Sequence, residues 1–166
     1  MAHIHLKTME ELQGQVKLVL TRQMPKLHNL APGVAVEHVG STAIPDTVTK
    51  GDVDVALRVP AANFPQVVGA LHAGYAEAQR ENWTPTFASF KDDDSGPLPF
   101  GVQVMVVGSE DDHLVALRDL LRRDPAARAR YNEVKRRNDG RDSATYWRDK
   151  DHVITDLLQQ LQKSSD

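Results

Sequence analysis

Apolar residues recur at helical spacing near the N-terminus of the chain. Thr8 and Glu11 have the spacing of a capping box, and apolar positions three and four residues apart follow them. This pattern predicts a first helix over residues 9–24. Pro25 and then Pro32 interrupt the pattern and are expected to end the helix, because an internal proline removes a helical hydrogen bond.

Two runs after this helix have the pattern of β-strands. The first, residues 34–39, is rich in valine and ends at Gly40. The second, residues 52–59, alternates strictly, and its apolar positions are Val53, Val55, Leu57 and Val59. Strict alternation places one set of side chains on each face of a sheet. The segment between the two runs contains Pro45 and allows at most a short helical turn.

Alternation returns in the middle of the chain. Residues 61–65 are expected to open a short helix, in whose first turn Pro65 is tolerated. Residues 86–90 and 100–107 are expected to form two more strands. The polar turn at residues 92–97 would join these strands as a hairpin.

The last third of the chain has a purely helical pattern. Helices are predicted from Asp111 onward, over residues 125–138 and over residues 143–162. The chain therefore divides into an α/β core, residues 1–108, and a C-terminal helical extension, residues 109–166. We expect the two parts to pack as one unit, because each helix keeps an apolar stripe and 166 residues suffice for one domain.

Composition excludes several classes of protein. The chain has no cysteine, so it has no disulfide and no thiolate nucleophile, which fits a reducing compartment. It has neither a signal-peptide core nor a run of about 20 apolar residues, so a cytoplasmic protein without a membrane partner is expected. A net charge of −3 with both signs interspersed argues against nucleic acid as a partner.

The residues with the strongest chemical implication lie where the first strand ends and the second begins. Gly40, Ser41 and Thr42 form a turn of small residues whose backbone a phosphate can approach. Asp52 and Asp54 follow, and the strand period of two places both carboxylates on one face. Paired carboxylates bind hard cations such as Mg²⁺, or Mn²⁺, and leave coordination positions for phosphate oxygens. The combination predicts a triphosphate site in which the two aspartates bind the metal and are catalytic.

Each part of this pattern also has a structural interpretation. Gly-Ser pairs are common in turns, and an acid-apolar-acid triplet is frequent in strands with one solvated face. The triphosphate interpretation therefore depends on the two parts occurring together.

Gln103 lies on the later strand where nucleotidyl-transferring enzymes usually have a third carboxylate. An amide can hydrogen-bond a substrate hydroxyl but cannot act as a general base. This residue leaves the binding prediction intact and weakens the prediction of catalysis. His38, immediately before the glycine turn, is a second candidate to face the substrate, and a half-buried structural histidine is the alternative.

The helical extension contains two Tyr-x-x-x-Lys pairs, Tyr131 with Lys135 and Tyr146 with Lys150. A spacing of four places each pair on one helical face. The ring can stack on a base or sugar while the ammonium meets a phosphate. An ordinary amphipathic helix with a solvated lysine is the alternative.

Lys50 and Arg118 are further candidates for phosphate contact. Lys50 lies two residues before the first aspartate, and Arg118 lies within a leucine-rich helical stretch. A lone solvated lysine is the structural alternative for Lys50. Arg122 and Arg123 are expected to be solvated.

The sequence resembles the GrpB family within the nucleotidyltransferase superfamily. The resemblance rests on residues 37–45 (Glu-His-Val-Gly-Ser-Thr-Ala-Ile-Pro), Lys50, and the triplet Asp52-Val53-Asp54, and it continues in the tail through residues 117–121 and the two tyrosine-lysine pairs. It implies an α/β (α+β) fold with a nucleotidyltransferase-like mixed sheet flanked by helices. It also implies that the glycine-serine turn faces triphosphate and that the two aspartates face metal.

Three positions depart from the family pattern. Asp46 replaces a glycine, Gly51 replaces a proline, and Gln103 replaces a frequent histidine. The family tends to lack a clear third carboxylate, so membership by itself does not decide whether catalysis occurs.

Two hypotheses follow. The first is a Mg²⁺-dependent transferase that moves a nucleotidyl group from a nucleoside triphosphate to a small-molecule acceptor. The second is a non-catalytic nucleotide-binding or regulatory module that kept the pocket. Transfer to a protein or RNA is a weaker third option, and these patterns define neither the nucleotide, the acceptor nor the oligomeric state.

Overall fold

Five α-helices and seven β-strands form the part of the chain that this computed structural model describes, residues 3–164. The helices are α1 (Met9–Leu30), α2 (Phe64–Leu71), α3 (Leu114–Arg123), α4 (Pro125–Arg137) and α5 (Ser143–Ser164). The strands are β1 (Lys7–Thr8), β2 (Val36–Val39), β3 (Val48–Thr49), β4 (Val53–Val59), β5 (Ala76–Glu77), β6 (Phe87–Asp92) and β7 (Phe100–Val106). Short 3-10 turns lie at Ser41–Ala43, Ala61–Asn63 and Arg80–Asn82.

Five of the strands form one mixed sheet in the order β2-β4-β7-β6-β5. The β4–β7 pair is parallel, and the other neighbouring strands are antiparallel. β6 and β7 form the hairpin that the sequence predicts. The mixed sheet flanked by helices confirms the predicted fold class.

One face of the sheet holds the main apolar core. The valines and leucine of the alternating run in β4 have no exposed surface, and they pack with apolar residues of α1 and α2. Their neighbours Asp54 and Ala56 point to the opposite face, because successive strand residues alternate. The alternation therefore buries one face and leaves the acidic face directed towards the C-terminal helices.

Helix α1 continues through Pro25, so the prediction that it ends there is wrong. The last turns bury Leu27, which has no exposed surface, and the N–H of Ala31 closes the helix on the Leu27 carbonyl at 2.8 Å. Burial of these apolar side chains offsets the single hydrogen bond that the proline removes.

The sequence did not predict three strands of two residues each. β1 pairs with β3 through Lys7 with Thr49 and Thr8 with Val48, and β5 extends the edge of the main sheet beside β6. Two residues are too few to show a period of two. The β1–β3 pair holds the start of α1 beside the loop that leads into β4.

The three C-terminal helices form a second apolar cluster. Leu117, Leu121, Tyr131 and Leu157 pack there around Ile44, which lies just after the glycine-serine turn. The N-terminal segment crosses to the same region, where Ile4 exchanges backbone hydrogen bonds with residues 140 and 141 at 2.7 and 3.2 Å. The division into a core and a helical extension stays a prediction.

The helices of residues 3–164 include none that is long and apolar enough to cross a membrane.

Gly14 gives a stability prediction on the outer side of α1. A Cβ built at Gly14 has no other atom within 4 Å, and the residue lies inside the helix. We expect Gly14→Ala to raise the free energy of unfolding by about 0.5–1 kcal/mol, because alanine loses less backbone entropy in a helix. Urea unfolding followed by circular dichroism measures this, and a lower midpoint would contradict it.

Candidate active site

The turn after β2 is built around Gly40 and Ser41. Gly40 has a φ of 77°, a backbone conformation that residues other than glycine rarely adopt. Ser41 donates its hydroxyl hydrogen to Thr49 Oγ1 at 2.8 Å, and Thr47 donates to the Ser41 carbonyl at 2.7 Å. These bonds fix the turn beside the start of β4.

Asp54 lies between two glycines. In the sheet it pairs with Val39 of β2 on one side and with Gly101 of β7 on the other. A Cβ built at Gly101 would lie 2.5 Å from Asp54 Oδ1, and a Cβ at Gly40 would lie 3.1 Å from Oδ2. Real Cβ atoms essentially never lie under 3.0 Å from such an atom, so the carboxylate occupies space that Gly101 leaves free.

The electrostatics of Asp54 favour a bound cation. Burial, and then the negative charge of Asp52, raise its pKa to about 6, while Lys150 and Lys50 act in the opposite direction. A cation near both carboxylates would relieve the cost of the charged form.

Asp52 lies one residue before β4 and pairs with Lys50 in an ion pair. Both side chains are partly exposed, so the carboxylate is reachable from the cleft. The ammonium of Lys50 also lies 4.6 Å from the centre of the Trp147 ring. Lys50 thereby joins the acidic pair to helix α5.

The donor set suits a hard cation such as Mg²⁺. Two carboxylates with oxygen ligands are present, and Mg²⁺ usually takes its remaining ligands from water and phosphate. In the segment from residue 3 to residue 164, no cluster of three histidines, cysteines or acids is placed to hold a metal by itself. Asp52 and Asp54 are therefore the residues that would hold Mg²⁺ or Mn²⁺ together with a ligand.

Helices α4 and α5 supply the opposite wall. Tyr131 is 3% exposed, and its pKa is raised by burial and by the charge of Asp54. Lys150 has its ammonium 4.7 Å from the Trp147 ring centre and forms no ion pair with any residue described here. Trp147 is 37% exposed, which is high for so large an apolar ring.

Tyr146 has a buried hydroxyl without a partner. The residue is 1% exposed, and its hydroxyl forms no hydrogen bond with any group in residues 3–164. Burial raises the pKa of Tyr146 to about 12, so the hydroxyl keeps its proton. The residue lines the same cleft as Asp52 and Asp54, where this proton is available to a ligand.

The cleft between these walls has a volume of about 810 Å³, which is in the range of small-molecule sites. Ten of the residues that the sequence nominates line it, namely Gly40, Ser41, Lys50, Asp52, Asp54, Gln103, Arg118, Tyr131, Tyr146 and Lys150. The other three, His38, Thr42 and Lys135, lie outside the lining.

His38 and Thr42 brace the turn from behind. Thr42 donates its hydroxyl hydrogen to the Asp52 carbonyl at 3.2 Å, and His38 Nε2 lies 2.9 Å from Thr42 Oγ1. Burial, with the charges of Arg122 and Arg118, lowers the pKa of His38 to about 4, so the ring is neutral at pH 7. The placement supports the structural alternative for His38.

Lys135 is buried behind Tyr131. It is 1% exposed, its ammonium donates to the Val48 carbonyl, and it lies 4.6 Å from the Tyr131 ring centre. Burial, and then Lys150 and Lys50, lower its pKa well below the ordinary value. Lys135 therefore contacts the segment before β4 behind the cleft without lining it.

Arg118 joins α3 to β2. Its guanidinium donates to Glu37 Oε2 at 2.7 Å and to the His38 carbonyl at 3.1 Å. Because these partners already use its donors, Arg118 has fewer N–H groups left to bind a phosphate, whereas Lys150 has no ion-pair partner among the described residues. Arg122, expected to be solvated, donates to the Ala43 carbonyl at 2.9 Å while remaining exposed.

Three residues of the cleft were not identified from the sequence as candidate functional residues. Gly101 leaves space for Asp54, Ser89 lies beside Gln103, and Trp147 carries the two lysine contacts. The only available signal was the position of Trp147 beside the second tyrosine-lysine pair. Gly101 and Ser89 gave none, because their roles depend on strand pairing.

Tyr146→Phe has opposite expected effects on the free and the ligand-bound protein. Removing an unpartnered buried hydroxyl is expected to raise the free energy of unfolding of the free protein by about 1–2 kcal/mol. If the cleft is the nucleotide site that the sequence predicts, loss of the donor is expected to weaken nucleotide binding about tenfold. Urea unfolding and isothermal titration calorimetry measure the two effects, and a destabilised variant with unchanged affinity would contradict both.

Comparison with solved structures defines the class of this fold. The chain superposes on the Cid1 poly(U) polymerase with Mg and GTP bound at a TM-score of 0.52 and 13% identity, over 78% of this chain and 42% of the polymerase. An acidic pair on the open face of a mixed sheet therefore lies on a nucleotidyltransferase-like fold.

The family follows from the sequence comparison. A family model described as GrpB protein matches residues 6–160, and the chain belongs to the GrpB family. The crystal structure of the conserved protein GrpB from Enterococcus faecalis matches with a TM-score of 0.57 and 16% identity, over 86% of this chain and 94% of that one.

Two bacterial relatives share more of the sequence. A UPF0157 protein of Vibrio cholerae is 30% identical over 152 residues, which cover 91% of this chain and 80% of the relative. A UPF0157 protein of Pseudomonas aeruginosa is 34% identical over 137 residues, and the match spans 76% of this chain and 55% of that longer relative.

Proposed function

We propose that this protein is a Mg²⁺-dependent transferase that moves a nucleotidyl group from a nucleoside triphosphate to a small-molecule acceptor. The observation that carries the proposal is the pairing of opposite charges across one cleft. Asp52 and Asp54 face it from the sheet, and Lys150 faces it from α5 without an ion-pair partner among the described residues. A metal bound to a triphosphate is complementary to both walls.

Asp52 and Asp54 would hold the metal at the floor of the cleft. Bound Mg²⁺ offsets the negative charge of the triphosphate and supplies electrophilic assistance at the phosphorus. Mn²⁺ is an alternative with the same oxygen ligands. Gly101 and Gly40 have no side chain that would displace the Asp54 carboxylate.

The phosphates would lie between the turn and α5. Gly40 and Ser41 allow close approach to the backbone. Lys50 and Lys150 supply positive charge, and the Tyr146 hydroxyl supplies an unused hydrogen-bond donor. A phosphate that binds Lys50 would compete with Asp52 for its ammonium. This competition frees the Asp52 carboxylate for metal, so metal and nucleotide are expected to bind cooperatively.

The core and the helical extension have separate tasks in this proposal. Residues 1–108 would supply the metal ligands, and residues 109–166 would supply the phosphate wall. We place the activity in the cytoplasm, since the absence of cysteine fits a reducing compartment. A net charge of −3 favours a small acceptor over nucleic acid, although Cid1 is a poly(U) polymerase.

Pyrophosphate release tests the proposal. We would measure it with each nucleoside triphosphate, Mg²⁺ and a panel of hydroxylated and aminated metabolites. Asp52→Asn is expected to lower kcat at least about 100-fold, because the metal loses a charged ligand. Asp94→Asn makes the same chemical change in an exposed turn and is expected to leave the rate unchanged. Lack of turnover with every acceptor would overturn the transferase proposal.

A non-catalytic nucleotide-binding module is the second candidate. The observation that favours it is Gln103, an amide on β7 where a general base would be expected. This alternative predicts stabilisation of roughly 2–4 kcal/mol at saturating nucleotide and Mg²⁺ without turnover. Asp52→Asn would abolish that stabilisation. Absence of stabilisation by any nucleotide would count against both candidates.

A further inference from the structure

Ser89 and Gln103 form a polar pair on the cleft floor. They are direct neighbours across β6 and β7, so their Cβ atoms lie about 4.5–5.5 Å apart. Gln103 also pairs with Ala56, one row along the sheet from the Asp54–Gly101 pair, and its side chain points to the same face. Both residues line the cleft. They therefore lie beside the place where the acceptor must meet the metal-bound phosphate.

The hydrogen-bonding capacity of this pair is specific. Ser89 donates its hydroxyl hydrogen to the Ala78 carbonyl at 2.7 Å, so its oxygen presents only lone pairs to the cleft. The amide of Gln103 makes no hydrogen bond with the rest of the described chain, which leaves its carbonyl oxygen open as an acceptor. Two acceptors a few ångströms apart suit a group with two hydrogens to donate.

A primary amine has two N–H donors and a free lone pair, whereas a hydroxyl has one donor. An amine between Ser89 Oγ and Gln103 Oε1 satisfies both acceptors and keeps its lone pair for attack. A hydroxyl has a single hydrogen and can donate it to only one of the two oxygens.

The strand residues around Ser89 and Gln103 offer no uncommitted base, since Glu77 on β5 is paired with His72 at 2.8 Å. Asp52 and Asp54 are the metal ligands of the proposed function, and Asp93 forms an ion pair with Lys91 at 3.2 Å. His113, at the start of α3, and Asp151, on α5, line the cleft from the helical side rather than from the strands that carry Ser89 and Gln103. A hydroxyl held between Ser89 and Gln103 would therefore have no base among the neighbouring strand residues, whereas a neutral amine needs none before it attacks.

We infer that the acceptor of this transferase is a primary amine, and this inference rests on the proposed function. The amine nitrogen attacks the α-phosphorus, an N–P bond forms, and the P–O bond to pyrophosphate breaks. One amine proton leaves to solvent after attack. The products are a nucleoside phosphoramidate and pyrophosphate. An amine with a pKa near 8, such as an α-amino group, is largely neutral at slightly alkaline pH.

Matched acceptor pairs test this inference with the full chain, Mg²⁺ and each nucleoside triphosphate. Each pair differs only in an amine or a hydroxyl, as in glycinamide with glycolamide or glucosamine with glucose. We expect pyrophosphate release at least tenfold faster with the amine, and ³¹P NMR should show a product whose P–N bond is lost in acid. The acid limb of the kcat/KM profile should move with the pKa of the amine.

Two variants make the test specific to the floor. Ser89→Ala is expected to lower kcat/KM for the amine about tenfold by removing one acceptor. Gln103→Glu supplies a carboxylate and is expected to shift the preference towards the hydroxyl partner of each pair. Gln159→Glu makes the same change on the exposed side of α5 and is expected to leave the preference unchanged.

The outcomes separate this inference from the proposed function. Turnover with hydroxyl acceptors alone, or equal turnover of both members of each pair, would overturn the amine assignment and leave the transferase intact. Nucleotide binding without turnover of any acceptor would overturn both together. An unchanged preference in Gln103→Glu would also count against the amine assignment.

Discussion

Asp54→Asn is expected to stabilise the free protein and, under the proposed function, to remove Mg²⁺-dependent nucleotide binding. Burial and the charge of Asp52 raise the pKa of Asp54 to about 6, which is about two units above its ordinary value of about 3.9. The folded state therefore disfavours the ionised carboxylate. Asparagine keeps the shape of the side chain and removes the charge.

The pH dependence has a definite sign. Below about pH 4 the carboxyl is protonated in both the folded and the unfolded protein, so its ionisation costs no stability. Between about pH 4 and pH 6 only the unfolded protein ionises, and stability falls as the pH rises. Above pH 6 both states are ionised and the full cost remains.

A pKa of about 6 in place of about 4 corresponds to a loss of about 3 kcal/mol in the free energy of unfolding at alkaline pH, and we reduce this to about 2 kcal/mol because the carboxylate is partly exposed to the cleft. We therefore expect Asp54→Asn to raise Tm by about 4–8 °C at pH 8 and by little at pH 3.5. Differential scanning fluorimetry at the two pH values, with and without Mg²⁺ and nucleotide, measures both effects.

Asp112 provides a control of opposite sign. Its bidentate hydrogen bonds to Arg58, at 2.6 and 2.7 Å, hold its pKa below the ordinary value. Asp112→Asn should therefore lower Tm at pH 8, where Asp54→Asn raises it. A fall in Tm for both variants would show that the charge of Asp54 does not strain the fold.

Gly101→Ala is expected to abolish activity with little loss of stability. The new Cβ would lie 2.5 Å from Asp54 Oδ1, so the carboxylate must move. Displacement of the proposed metal ligand Asp54 by about 1 Å is expected to cost at least 100-fold in kcat/KM. The backbone hydrogen bonds of β7 do not depend on the glycine, so unfolding should be two-state with a similar midpoint.

Steady-state kinetics and Mn²⁺ titration measure this effect. Gly14→Ala adds the same methyl group at a glycine with open space and is the matched control. Full activity in Gly101→Ala would show that the position of the Asp54 carboxylate is not critical. A Gly101→Ala protein that fails to fold would assign Gly101 a structural role instead.

Much of this fold could be predicted from local sequence patterns. The strict alternation over residues 52–59 and the helical spacing of the C-terminal third both reappear in the structure, and the mixed sheet confirms the predicted fold class. α1 differs, because the burial of Leu27 lies outside any local pattern and overrides the effect of Pro25. β1, β3 and β5 were missed because two residues carry no period.

The candidate site was predictable to the same extent. Asp52, Asp54 and the glycine-serine turn stand out because their residue types and spacing carry the chemistry. Lys135 and His38 have suitable chemistry, but the first is buried against Val48 and the second is bonded to Thr42. Which face of a helix turns inward depends on what it packs against, and sequence spacing alone leaves that open.

The sequence by itself determined that this chain has a sheet with two carboxylates on one face, preceded by a glycine-serine turn. It did so because a strand has a period of two and glycine and serine are small. Only the tertiary structure decided that Gly101 makes space for Asp54, that Ser89 lies beside Gln103, and that Trp147 meets Lys50. These contacts join residues 14 to 97 positions apart, and strand register and helix docking, which no local pattern encodes, bring them together.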